Sequence, residues 1–278
     1  MAFGESVACR ALALLMTTGR FRHRERIQSM KMITGELASG QTVPTPEITC
    51  WQPNQPACDI GVIIFPGGGY GKLAPHEGEG YAMRLCQAGI TCFVVKYRLG
   101  SEGFRHPAML EDAFAAIRTI RAHAADLNLH PNKIGVMGSS AGGHLAAHTL
   151  VAWHAYPSDV SLRPDFGILC YPVITSDPTH THRGSMQNLL GNAPTETQLH
   201  AVSCEKLVSA NTPPCFLWHT GDDEAVPMEN SLLFAQALRA NRVPFELHIY
   251  PHGRHGLGLD TPFDWATPCI HWMKSLLH

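Results

Sequence analysis

A serine with a glycine two positions to either side stands at Gly138-Ser139-Ser140-Ala141-Gly142. That spacing lets a strained strand-to-helix turn present a nucleophilic hydroxyl, because strand and helix backbones approach too closely there for a Cβ. Ser140 is the candidate nucleophile. A helix beginning just after it aims its N-terminal amides, that of Ala141 among them, at an oxygen that turns negative during attack. A serine hydroxyl attacks only when a base takes its proton. His255 is the candidate, in Tyr250-Pro251-His252-Gly253-Arg254-His255-Gly256-Leu257-Gly258, where the glycine directly after it favours it over His252. Such a base needs a carboxylate on its other nitrogen to hold its tautomer. Gly221-Asp222-Asp223-Glu224-Ala225-Val226-Pro227 offers three in a row; Asp223, three residues before Val226-Pro227, fits best and Asp222 is the alternative. Each motif also has a plain reading: a Gly/Ser turn without chemistry, one histidine among seventeen, and a solvated acidic loop.

Phe65-Pro66-Gly67-Gly68-Gly69-Tyr70 precedes the serine by about seventy residues. Three glycines let backbone amides point inward with no side chain in the way. The amides of Gly68, Gly69 and Ala141 are the candidate oxyanion donors, each typically worth ~3 kcal/mol in the transition state. A phosphate-binding loop is the competing reading, but no Lys-Ser or Lys-Thr follows at the required spacing and G-x-G-x-x-G is absent. Tyr70, His76 and His182 are the candidate substrate contacts. His76 and Glu77 would line the alcohol side of the pocket or make a loop-stabilising hydrogen bond. His180 and His182 lack a third partner for a metal, so lid anchoring or substrate contact is the better reading. Asp112 reads as a tie for the Arg98 to His106 loop, and Trp218 as packing.

The elements that must position these groups alternate. Gly61 to Phe65 and Thr91 to Tyr97 are β-branched and aromatic runs that predict central strands. Leu110, Phe114, Ile117 and Ile120 recur at helical spacing. Lys133 to Met137, Phe166 to Tyr171, Pro214 to Thr220 and Pro244 to Tyr250 predict further strands. Ala141 to Trp153, Met228 to Ala240 and Pro262 to Leu277 predict helices. This is an α/β pattern with a mostly parallel sheet. Ser176 to Thr212 breaks it and is expected to be a lid or cap insertion.

At 278 residues the chain suits one domain, expected over 36–278, after an N-terminal extension over 1–35. With 45% hydrophobic and 16% charged residues and a net charge of −2, a nucleic-acid partner is not expected. Nine cysteines without C-x-x-C spacing read as free thiols, which favours a cytoplasmic over a secreted address. The apolar run Ala11 to Met16 is too short to span a bilayer, and no A-x-A cleavage site follows it. Met30 and Met32 stand as alternative initiators.

The order Ser140, Asp223, His255 together with these motifs resembles the acetyl-esterase and acetylxylan-esterase-like branch of the α/β-hydrolases, related to the hormone-sensitive-lipase-like enzymes. The resemblance covers about residues 60 to 277. It is carried by Pro66 to Tyr70 with His76-Glu77-Gly78-Glu79, Lys96-Tyr97-Arg98-Leu99, His106-Pro107 to Asp112, Gly138 to His144, Thr181-His182 with Asn188-Leu189-Leu190-Gly191, Val226 to Phe234 and His248 to Gly258. It implies an α/β-hydrolase fold and hydrolysis of short acyl esters, especially acetyl groups on sugars. The implied partner is a small-molecule or carbohydrate ester, with no metal or organic cofactor; a homo-oligomer is compatible with it. Pro66 departs from the pattern, standing where the lipase-like enzymes carry the histidine of H-G-G-G. Two rivals share the fold. A serine peptidase-like hydrolase would use the same triad, although such proteins commonly add a propeller for which this chain has no room. A ligand-binding protein like the gibberellin receptors would have lost the catalytic histidine, whereas His255 is present.

Overall fold

Strands buried on both faces need unbroken apolar runs, and strands with a solvated face alternate. β3 (Gly61–Phe65), β5 (Ile134–Ser139), β6 (Gly167–Cys170) and β7 (Cys215–Thr220) are of the first kind, buried along their whole length. The computed structural model describes residues 46–53 and 58–276 in full and residues 26–31 as backbone. Its eight-stranded sheet adds β1 (Arg26–Lys31), β2 (Glu47–Gln52), β4 (Thr91–Lys96) and β8 (Phe245–Tyr250), in the order β1-β2-β4-β3-β5-β6-β7-β8. β4, β3, β5, β6, β7 and β8 run parallel, and β2 is antiparallel to both β1 and β4.

Side chains alternate across each strand, so the sheet feeds two cores. Ile63 and Phe65 join α2 (Ala108–Ala122), α3 (Ser140–Ala152) and α7 (Glu229–Ala240) on one face. Val62 and Ile64 join α1 (Glu79–Cys86) and α8 (Ala266–Leu276) on the other. Parallel strands place all their carboxyl ends at one edge, and the loops leaving β3, β5, β7 and β8 there carry the residues singled out for chemistry.

β2 and α1 were not expected from the sequence, and the bounds at both ends of the domain differ from the expectation. β1 lies inside the stretch taken as an extension and pairs with β2 from Arg26↔Gln52 to Lys31↔Glu47, so the sheet begins before residue 36; residues 1–25 and 32–45, including Ala11 to Met16, lie outside the described residues. The last helix starts at Ala266 rather than Pro262. Ser176 to Thr212 is helical: α4 (Arg183–Leu190), α5 (Glu196–Val202) and α6 (Cys204–Leu207). Thr195 and Gln198 cap α5 reciprocally. The Ser176 and Ser203 hydroxyls bond at 2.7 Å, and Asn188 Nδ2 donates to the Gly69 carbonyl at 2.8 Å. This helical segment is pinned onto the glycine loop.

His144 fastens the same segment through Val202. Its Nε2–H donates to the Val202 carbonyl at 2.7 Å, so its Nδ1 accepts the Tyr70 hydroxyl at 2.7 Å. Burial pushes this imidazole down to about 4. The unfolded chain takes up the proton near 6.5 and the folded chain does not. Stability is therefore complete above pH ~6.5 and declines towards pH 4, by roughly 3 kcal/mol. Melting temperatures measured from pH 7 to 4.5 should fall accordingly, and His144→Gln, which can keep both bonds without titrating, should shrink the fall. The account of His144 fails if both proteins lose stability equally; His148, His106 and His182 are also depressed by burial and contribute to the remaining fall.

Candidate active site

β5 passes directly into α3 at Ser140, whose φ of 55° lies in the left-handed region that a serine adopts at a cost on the order of 1–3 kcal/mol. The flanking glycines make the turn feasible. A Cβ on Gly142 would sit 2.0 Å from the Phe65 carbonyl oxygen, and one on Gly138 2.0 Å from the Gly142 oxygen. The turn aims Ser140 Oγ at His255 Nε2, 2.7 Å away, and His255 Nδ1 lies 2.6 Å from Asp223 Oδ2. An ionised carboxylate only accepts, so the proton sits on Nδ1 and Nε2 is left to accept from the serine.

The neighbouring acid and histidine form a separate pair. Asp222 lies 3.0 Å from His252 Nδ1 and accepts the Gly253 N–H at 2.6 Å, in solvent. Asp223 is buried, and both its oxygens are engaged. Oδ1 accepts the Ala225 and Val226 N–H groups at 3.0 Å each, and Oδ2 stands 3.4 Å from His219 Nε2. Burial pushes the Asp223 carboxyl up, yet hydrogen bonds from His219 and His255 outweigh it and hold the group well below the usual carboxylate range. His219 was not singled out from the sequence, although it lies four residues before Asp223 on β7. Its Nε2 faces two acceptors, Val226 O and Asp223, so Nε2 carries the proton and Nδ1 accepts from Ser231 Oγ at 2.8 Å. Tyr171, likewise unremarked, sets its ring at 73° to that of His255 with centroids 5.1 Å apart.

The glycine loop after β3 turns through φ 123° at Gly68 and 66° at Gly69. The Gly67 N–H donates to Glu77 Oε2 at 2.8 Å. The amides of Gly68, Gly69 and Ala141 make no hydrogen bond among the described residues, as donors awaiting an oxyanion would. A Cβ on Gly67 would lie 3.0 Å from Ser140 Cβ, so loop and nucleophile are in contact.

Of the expected substrate contacts, Tyr70 is corrected. With φ 58° its side chain turns under the loop into the core, fully buried, bonded to His144 and edge-on to Tyr97. His76 is half-exposed and bonds through Nε2 to the Gly256 carbonyl at 3.0 Å, which braces the histidine loop. His182 caps α4: its Nδ1 accepts the Ser185 N–H at 3.2 Å, so Nε2 carries its proton. Its Cε1 lies 4.0 Å from where a Gly69 Cβ would stand. Asp112 accepts from the Arg98 N–H at 2.8 Å and from its guanidinium, closing the loop before α2. Trp218 is fully buried against Tyr171 and Trp265.

A nucleophile-elbow serine, a histidine after the last strand and an aspartate after β7, all at the carboxyl edge of a mostly parallel sheet, define an α/β-hydrolase. The chain belongs to the alpha/beta hydrolase fold family, whose pattern its residues 62–259 match. Over 204 residues it is 42% identical to endo-1,4-beta-xylanase B of Butyrivibrio fibrisolvens, covering 70% of this chain and 32% of that protein. Over 239 residues it is 33% identical to the acetylxylan esterase of Xylanibacter ruminicola, covering 83% of this chain and 48% of that protein. The chain thus spans about a third to a half of the length of these two relatives. Among solved structures it resembles the acetyl ester-xyloside bifunctional hydrolase of Caldicellulosiruptor lactoaceticus, with TM-score 0.79, 45% identity, and coverage of 84% of this chain and 89% of that one.

Proposed function

We propose that this chain is a serine carboxylesterase that removes short acyl groups, acetyl above all, from small-molecule or carbohydrate esters such as acetylated sugars or xylan. The observation that carries this reading is the series of hydrogen bonds Ser140–His255–Asp223, at 2.7 and 2.6 Å, beside three unengaged backbone amides. Ser140 Oγ attacks the ester carbonyl as His255 Nε2 takes its proton. The amides of Gly68, Gly69 and Ala141 hold the tetrahedral oxygen, and His255 returns the proton to the departing alcohol. Water, deprotonated by the same imidazole, then releases the acid from the acyl-enzyme. Asp223 stays ionised throughout and stabilises the imidazolium. His182 presents its Nε2–H beside the glycine loop, as a contact for the substrate's ester or sugar oxygens.

The substrate class is supported by the relatives named for acetylxylan esterase and acetyl ester hydrolysis. The cap supports the short acyl group: Asn188 pins it to Gly69, and Ser185 Oγ comes within 3.8 Å of the Gly69 Cβ position. The test is kcat/KM on acetyl, butyryl and octanoyl p-nitrophenyl esters alongside acetylated xylan. A fall of at least about tenfold from acetyl to octanoyl, with acetate released from xylan, is expected. A preference for octanoyl would replace this reading with a lipase-like one.

A further inference from the structure

Glu77 is a buried carboxylate with no part in the steps above. It is 2% exposed, and the one basic side chain within 4.0 Å of it among the described residues is the half-exposed His76, whose Nε2 lies 3.8 Å from Oε1. Burying such a group is costly unless its oxygens meet hydrogen-bond donors. Here each oxygen has one. Oε2 accepts the Gly67 N–H at 2.8 Å, and Oε1 accepts the Tyr171 hydroxyl at 2.7 Å. The Tyr171 oxygen in turn accepts the Gly258 N–H at 2.9 Å, three residues beyond His255. The Tyr81 hydroxyl closes the cluster, 3.2 Å from that of Tyr171 and 2.9 Å from Ser139 Oγ, next to the nucleophile.

One carboxylate therefore addresses the glycine loop, the turn after β6, the histidine loop and the elbow. The geometry points to Glu77 as a positioning residue: through Gly67 and Tyr171 it sets the oxyanion donors and His255 in register with Ser140. The inference rests on the esterase reading above. Its contacts select for an acceptor of fixed shape. The Gly67 peptide is held between the carboxylate and Ser140, since a Cβ there would stand 2.4 Å from Glu77 Oε2. Without that acceptor the Gly67 peptide is free to rotate, and the amides of Gly68 and Gly69 that follow it turn away from the reacting oxygen. Tyr171, losing its acceptor, loosens its hold on Gly258 and the ring beside His255. Such a change weakens binding of the tetrahedral species more than binding of the ester, so it appears in kcat rather than KM.

The experiment compares wild type with Glu77→Ala, Glu77→Gln and Tyr171→Phe, using p-nitrophenyl acetate turnover and inhibition by phenylboronic acid, whose adduct with Ser140 mimics the tetrahedral species. Glu77→Ala should lower kcat about a hundredfold with KM within about threefold, and raise the boronate Ki by a similar factor. Glu77→Gln should recover at least about tenfold of that kcat, because its carbonyl can accept from Gly67 while its amide donates to a rotated Tyr171 hydroxyl. Tyr171→Phe, which keeps the ring but not the bonds, should fall between. Should Glu77→Ala fail to fold, Tyr171→Phe decides alone: unchanged kcat and boronate Ki overturn the inference. So does a folded Glu77→Ala with wild-type kcat, or with a loss confined to KM. Ser140→Ala distinguishes the two levels, since turnover that survives it removes the esterase reading itself, whereas its loss beside an unimpaired Glu77→Ala removes only the role of Glu77.

Discussion

Ser140→Ala is expected to lower kcat for p-nitrophenyl acetate by at least about 10⁴-fold while leaving the fold intact. The substitution takes away one oxygen. Its hydrogen bond to His255 is the only side-chain bond Ser140 makes among the described residues, and the left-handed backbone at φ 55° is imposed by the packing of β5 and α3 rather than by the hydroxyl. Alanine meets the same strain as serine, so the melting temperature should stay within a few degrees. In the proposed mechanism what disappears is the atom that would form the acyl bond, and the glycine-loop amides alone would support only residual catalysis. Wild-type turnover in a folded Ser140→Ala would contradict the assignment.

Asp223→Asn should lower kcat by about 10⁴-fold, a loss out of proportion to its size. Every group around the carboxylate donates: Ala225 and Val226 N–H at Oδ1, His219 Nε2–H and His255 Nδ1–H at Oδ2. An asparagine must turn its NH₂ towards one of these sets. Facing the backbone amides it opposes two donors that cannot rotate. Facing His255 it drives the imidazole into the other tautomer, with the proton on Nε2, where it can no longer accept from Ser140. The same carboxylate contributes to stability, and because its folded value is depressed, that contribution is present above the unfolded value near 3.9 and is lost as pH falls below it. Rates measured from pH 6 to 9 check the catalytic effect, and an Asn variant within tenfold of wild type would rule out the proposed role.

The elbow, the acid loop and the histidine loop could be read from sequence because each is local: a few residues of fixed type bounded by an apolar strand, as at Gly138 to Gly142 after Ile134–Ser139. Contacts between segments distant in sequence left no such mark. Tyr171 and Glu77 meet across 94 positions, and nothing near either residue announces the other. Tyr70 shows the same limit in reverse. An aromatic after a glycine loop reads as a pocket wall, and only its backbone angle of 58° sends the ring into the core. His219 sits in the apolar run of β7, where period and composition describe packing and say nothing of which acid the side chain will reach. β2 escaped because its run Glu47–Gln52 mixes polar and apolar residues at a position antiparallel to the rest, and α1 because two turns containing Gly80 carry too little periodic signal. The segment was visible only as an interruption; its helices are short, from four to eight residues, and each carries too little periodic signal to stand out, while cross-links such as Ser176–Ser203 hold them in place.

The most direct test of the account is the covalent state of Ser140 during turnover. Wild type and Ser140→Ala, mixed with p-nitrophenyl acetate, quenched in acid within the first turnovers and mapped by peptide mass, should show one acetyl group on the peptide spanning Gly138 to Gly142 in wild type and none there in the variant. Hydrolysis that proceeds with that peptide unmodified, or with the acetyl group on another residue, would contradict it.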